Sequence, residues 1–206
     1  MDISTTDRTK FEVFEKLLKS GPNTVYGLYI SLGKEKWAQT TVHRIVKFLE
    51  QEKSIEIYSE ETKTGRSGKV YGITIHGLFW MATQEKSLLD EADDIFGKWL
   101  DEPKFSQAEE IVSLFGAEML ENDPAKAKEL FKRLCAYSVG MIEAWKAYEP
   151  NMTLADEMFF GELIAMGTDE KWLQSQKEFY NELPGFRATI EAKKKQQAQL
   201  LDYLEQ

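Results

Sequence analysis

Gln39, Thr40, Thr41, His43, Arg44 and Lys47 crowd hydrogen-bonding side chains into one short run, and Val42, Ile45, Val46 and Leu49 are interleaved with them at i, i+3, i+4 and i+7. That apolar spacing predicts a helix with one buried stripe, so the polar residues between fall on its other face. No carboxylate interrupts them before Glu50. Their chemistry suits the edges of base pairs. Arginine can pair bidentately with guanine O6 and N7, glutamine with adenine, and the threonine methyl can pack on thymine; each good bidentate pair discriminates by about 1–3 kcal/mol. Lys47 lies further along and suits a phosphate, while His43 is read as a neutral hydrogen-bonding surface residue. A second cationic group, Lys63, Arg66 and Lys69, lies in the polar run 59–69, where Gly65 and Gly68 let the backbone approach a phosphate or the minor-groove floor closely. Three such cations neutralise about three phosphates, which would make binding depend on salt.

Other chemistry finds little support. There is no glycine-rich phosphate loop followed by Lys-Ser/Thr and no serine in a nucleophile elbow, so an enzyme is not expected. His43 and His76 are the two histidines and Cys135 is the lone cysteine, which is too little for a metal cluster; no metal and no cofactor are expected. Asp93-Asp94 and Glu109-Glu110 are sequence neighbours that do not share a helix face, and they read as solvated charge. A single cysteine in a helical pattern forms no internal disulfide and reads as a small buried hydrophobe, which fits a reducing compartment. No apolar run reaches the length of a signal core or a membrane span, so the expected location is the cytoplasm, with no membrane partner.

Three helices and a hairpin must position the two polar groups. The first helix is predicted from Thr9 or Lys10 to Ser20, with Phe11, Phe14, Leu17 and Leu18 inward and Gly21 as its stop. Pro22 is expected to open the second, which ends at Gly33, and Ala38 to Glu52 is the third. Ile55 to Tyr58 and Val70 to Ile75 concentrate β-branched and aromatic residues and predict two strands, leaving 59–69 as a long mobile tip.

Residues 9 to 82 resemble a winged helix-turn-helix domain of prokaryotic transcription regulators. The matching residues are Thr41-Val42-x-Arg44 through Leu49-Glu50-x-Glu52, then Ile55, and on the return strand Gly65-Arg66-x-Gly68-Lys69-x-Tyr71-x-Ile73-Thr74-x-x-Gly77. Leu17-Leu18-x-x-Gly21-Pro22 with Tyr26-Gly27-Leu28 is similar to the first-to-second-helix segment of PadR-like regulators. The chain departs from that pattern at Lys53-Ser54, where such regulators often carry glycine, and at Gln39-Thr40-Thr41-Val42, where PadR-like proteins have a Gly-Thr-Leu-Tyr type opening. The resemblance implies that Gln39, Thr40, Thr41, His43 and Arg44 meet double-stranded DNA from the major groove, and that Arg66 and Lys69 meet it from the wing.

From Leu78 onward the pattern is helical, broken at Pro103, Pro124, Pro150 and Pro184-Gly185. Thr74 or Thr83 is expected to cap the first of these helices and Asp123 a long one beginning at Pro124. The last helix, from Gly185, is apolar at Phe186, Ile190, Leu201 and Leu204 and polar through Lys193-Lys194-Lys195-Gln196-Gln197. The expected architecture is therefore mainly α with a small β-wing: a DNA-binding domain over 1–82 and an all-α domain over 83–206 whose first role is pairing two copies into a homodimer. Met141, Trp145, Met152, Met158, Phe159 and Met166 raise a small-molecule effector pocket as an additional reading, although Met and aromatic stripes are usually core. Charge divides the same way. The chain carries a net −9, yet residues 1–86 hold 13 Lys and Arg against 11 Asp and Glu. A winged helix serving as a protein-interaction module is the competing expectation, motivated by the overall acidity.

Overall fold

The computed structural model describes residues 5–63, 66–84, 86–148 and 170–204; within these ranges the side chains of 5–7, 61–63, 66–67, 81–84, 86–87, 141–148, 171–172 and 204 are not described. The protein is mainly helical with one small antiparallel sheet, and it divides into two compact units, Met1–Gln107 and Ala108–Gln206.

The first unit opens with α1 (Thr5–Ser20), which buries Val13, Phe14, Leu17 and Leu18 and stops at Gly21 with φ +87°. A positive φ is costly for a residue with a Cβ, which is why glycine ends the helix there. Pro22 does not open the second helix as expected. Asn23–Thr24 instead forms a short strand, β1, and Thr24 caps α2 (Val25–Leu32) by accepting from the Gly27 N–H at 3.0 Å. After a turn, α3 (Gln39–Gln51) buries Val42, Ile45, Val46 and Leu49, the stripe its spacing predicts. Burying such side chains contributes about 1.5–3 kcal/mol each before chain entropy is counted. The helix ends in a left-handed turn at Lys53, with φ 59°, where the resembling regulators often carry glycine.

Strands β2 (Ile55–Lys63) and β3 (Arg66–Ile73) pair antiparallel, and β3 also pairs with β1, giving the order β1-β3-β2. The expected long tip is corrected here: the ladder continues through Ser59↔Val70, Glu60↔Lys69 and Glu61↔Gly68 to Lys63↔Arg66. A ribbon solvated on both faces needs no apolar alternation, so a polar run can be strand throughout. A bulge between Ile57 and Ser59 sets Tyr58 out of register. Its hydroxyl donates to the Ile73 carbonyl at 2.6 Å and its ring lies over Gly72, where a Cβ would overlap it.

Thr74 caps α4 (Ile75–Gln84), accepting from the Gly77 N–H at 3.0 Å and donating to the Lys53 carbonyl at 2.7 Å. Then come α5 (Lys86–Asp90), α6 (Ala92–Leu100) and the short α7 (Pro103–Ser106). The first unit thus continues past residue 82, because Trp99 is fully buried, donates its Nε1–H to the Leu18 carbonyl at 2.9 Å, and packs edge-on against Tyr58.

The second unit holds α8 (Glu109–Phe115), α9 (Ala117–Asn122), α10 (Pro124–Tyr148), α11 (Glu170–Glu182) and α12 (Pro184–Leu204). Gly116, with φ +83°, separates α8 from α9. Asp123 caps α10 as expected, accepting from the Lys126 N–H at 3.1 Å. Ala127, Leu130, Phe131, Leu134, Phe179 and Leu183 form the buried side. Among the described residues no helix is long and apolar enough to cross a membrane.

Candidate nucleic-acid interface

The candidate surface is built on α3, and its geometry follows from which side is buried. With the apolar stripe inward, at about 100° per residue, Thr40, Arg44, Lys47 and Gln51 point most directly outward. His43 and Gln39 flank that line on one side, with Glu50. Thr41 and Phe48 flank it on the other, with Glu52. Burial agrees: Gln39, Thr40, His43, Arg44, Lys47, Phe48 and Gln51 are exposed, whereas Thr41 is half-buried. Gln51 was missed by sequence reasoning, though continuing the i, i+4, i+7 series from Thr40 through Arg44 and Lys47 by four more reaches it.

Electrostatics separate these cations from several others in the unit. Lys10 is held at 2.8 Å by Glu52 and lies over the rings of Phe48 and Trp80. Lys36, on the turn before α3, is held at 2.6 Å by Glu12. Lys19 pairs with Glu15 and Glu91, and the ammonium groups of Lys98 and Lys104 donate to the carbonyls of Lys19 and Ile57. Arg44, Lys47 and Lys69 pair with no carboxylate among the described residues, and the same holds for Lys16, Lys34 and Lys53. The Lys10 and Lys36 pairs have a structural consequence: they tie α1 to both ends of the α3 segment and so fix the orientation of its outer face. They also spend two cations that would otherwise add to the positive surface.

At the hairpin, Lys63 and Arg66 are register partners beside residues 64–65, and Lys69 is the register partner of Glu60. Lys69 is exposed; the side chains of Lys63 and Arg66 lie outside the described residues. The ladder therefore brings the backbone positions of two of the three cations together at the tip and places the third nearer the root. Trp37, in the turn leading into α3, has its indole N–H buried without a hydrogen-bond partner among the described residues. Leaving such a donor unpaired costs about 1–3 kcal/mol.

Residues 1–86 carry a net +2, but the compact unit Met1–Gln107 holds 15 Lys and Arg against 17 Asp and Glu, a net −2. The unit as a whole therefore has no positive bias: α3 holds two cations and one carboxylate, and β2 and β3 together hold three of each. The proposed effector group lies outside the described residues: Met152, Met158, Phe159 and Met166 altogether, and Met141 and Trp145 in their side chains. No cluster of metal-ligating residues occurs among the described ones. Neither a family model nor a curated protein matches the chain.

Proposed function

We propose that this chain is a sequence-specific DNA-binding regulator of transcription with a winged helix-turn-helix over α1–α3 and the β2–β3 hairpin, acting as a pair of copies. One observation carries the reading: α3 buries its apolar stripe of Val42, Ile45, Val46 and Leu49 while presenting Thr40, Arg44, Lys47 and Gln51 outward, with both cations in no ion pair among the described residues. A surface helix needs charge for solubility, but that purpose is usually met by mixed signs; here the centre of the face carries two cations and no carboxylate. In this reading α3 enters the major groove, Gln39, Thr40, Thr41, His43 and Arg44 meet base edges, Lys47 meets a phosphate, and Lys63, Arg66 and Lys69 engage the flanking backbone or minor groove. The PadR-like resemblance rests on the first-to-second-helix segment, Leu17-Leu18-x-x-Gly21-Pro22 with Tyr26-Gly27-Leu28.

Fluorescence anisotropy with DNA from around the chain's own promoter tests it. Affinity should fall steeply with salt and drop in the Arg44→Ala/Arg66→Ala variant. Unchanged affinity in that variant, or binding insensitive to salt, sinks the proposal.

A second reading, a winged helix that binds protein, is favoured by the unit's net −2 and by exposed apolar side chains on the same helices, Tyr26 and Ile30 on α2 and Phe48 on α3. Purification from cells with a stoichiometric protein partner and no DNA enrichment would select it.

A further inference from the structure

The helix α12 is a poor fit to the usual rule that an amphipathic helix hides its apolar side. Every residue from Arg187 to Tyr203 is exposed, including Ile190, Leu200, Leu201 and Tyr203, the last at 75%. Isolated helices of this length are marginal in water, because most helix stability in proteins comes from packing. Among the described residues its fastenings lie in the first two turns: Gly185 approaches the Ser113 carbonyl of α8 so nearly that a Cβ would sit 2.6 Å from it, and Arg187 donates to the Tyr180 and Asn181 carbonyls. Tyr180 donates to Glu191 at 2.7 Å, and beyond this point the outer stripe reads Ile190, Lys194, Gln197 and Leu201 at i, i+4, i+7 and i+11, with Lys193 and Leu200 beside it. The stripe is apolar at its two ends and cationic in the middle.

Charge says what could cover such a stripe. In Ala108–Gln206, α12 holds four basic and two acidic residues, and the remainder holds seven basic and sixteen acidic. A basic arm is therefore attached to an acidic body, with Glu109, Glu110, Glu118, Glu121 and Asp123 exposed on α8, α9 and the turn after them. We infer that α12 is an exchange arm: the arm of each copy lies on the acidic body of a second copy of this chain, reciprocally about a two-fold axis. Area distinguishes this from simple arm-on-arm pairing. An exposed helix of about 25 Å offers a face about 10 Å wide, roughly 250 Å² in projection, well short of the about 800 Å² per partner that a stable interface buries. Reciprocal exchange uses each arm and each receiving surface, so every contact occurs twice and each partner contributes about 500 Å² in projection, double what one arm face offers. This deepens the two-copy part of the reading above and does not depend on the DNA-binding part.

Sedimentation velocity of the full chain across a wide concentration range, at low and high salt, tests it. The wild type should sediment as a dimer that loosens as salt rises. Leu200→Ser/Leu201→Ser should weaken dimerisation at least about a hundred-fold, since each dimer buries both leucines twice. Lys193→Glu/Lys194→Glu, which leaves the apolar residues in place, should weaken it and reverse its salt dependence, since salt screens the repulsion so created; circular dichroism checks that both variants keep their helix content. A wild type that remains monomeric overturns the inference, as does a dimer unchanged in both variants. A dimer without DNA affinity would retain the arm and remove the DNA reading; a DNA-binding monomer would do the reverse.

Discussion

Arg44 and Lys47 share the outer line of α3 and carry the same charge, yet their losses should differ in kind. Arg44→Ala removes a planar group able to pair with one base, so it should cost about 1–3 kcal/mol against the preferred site and relax discrimination at one position. Lys47→Ala should weaken all sequences alike and lower the salt slope by about one. A set of single-base operator variants measured by anisotropy at several salt concentrations separates the two. Cys135 is fully buried, and burial pushes its thiol up to about 12. The native protein should therefore resist iodoacetamide at pH 8–9 and react only when unfolded. The sign is fixed by which state holds the proton: above pH 9 the unfolded thiol ionises first, so stability falls as pH rises towards 12. Tyr58, its hydroxyl shifted upward mainly by burial, acts in the same direction. Exposure at this scale was largely legible, because helical period separates Val42, Ile45, Val46 and Leu49 from their neighbours. Pairing was not: nothing local to Lys10 or Lys36 indicates that Glu52 and Glu12 will neutralise them.

At the scale of elements, the bulge at Tyr58 and the turn at Lys53 hold the hairpin to the helices. Gly72→Ala would drive a methyl group into the Tyr58 ring, and overpacking of this kind costs about 1–3 kcal/mol. Urea unfolding should show a lower midpoint with an unchanged slope. Lys53→Gly should do the opposite. A left-handed residue with a Cβ costs about 1–2 kcal/mol, glycine returns about 0.5–1 of that as chain entropy, and the net gain should be about 0.5–1 kcal/mol in the same experiment. The end signals at Gly21, Gly33, Thr74 and Asp123 were readable from sequence because each acts through its own backbone or a near neighbour. Strand β1 was not readable, since two residues carry no period and their pairing partners, Val70 and Tyr71, are remote in sequence.

For the whole molecule, the decisive contact joins residues far apart: Trp99 caps the Leu18 carbonyl, while Phe105 and Phe96 meet edge to face beside it. A boundary near residue 82 followed naturally from the change from strand to helix pattern, but pattern gives no information about what a helix packs against. A fragment spanning 1–107 should unfold cooperatively on heating, whereas 1–82, lacking Trp99, should melt at a clearly lower temperature or without a sharp transition. The larger boundary also reverses the sign of the unit's charge, from +2 to −2, so any attraction to DNA must be local, centred on Arg44 and Lys47 of α3. Binding should consequently be short-ranged and lost at modest ionic strength.

The hairpin has one more consequence, for how variants behave in solution. β1 covers β3 only at Val70 and Tyr71, and β2 is the outer strand, so both margins of the ribbon beyond Val70 present backbone groups with no strand partner among the described residues. Open strand margins invite pairing with another chain, and charged residues are a common defence. Glu60 and Lys69, both exposed, thus guard the ribbon whatever else they touch. Stripping both at once would raise the tendency of copies to stick edge to edge, so a hairpin neutralised at the two positions should lose solubility together with any affinity.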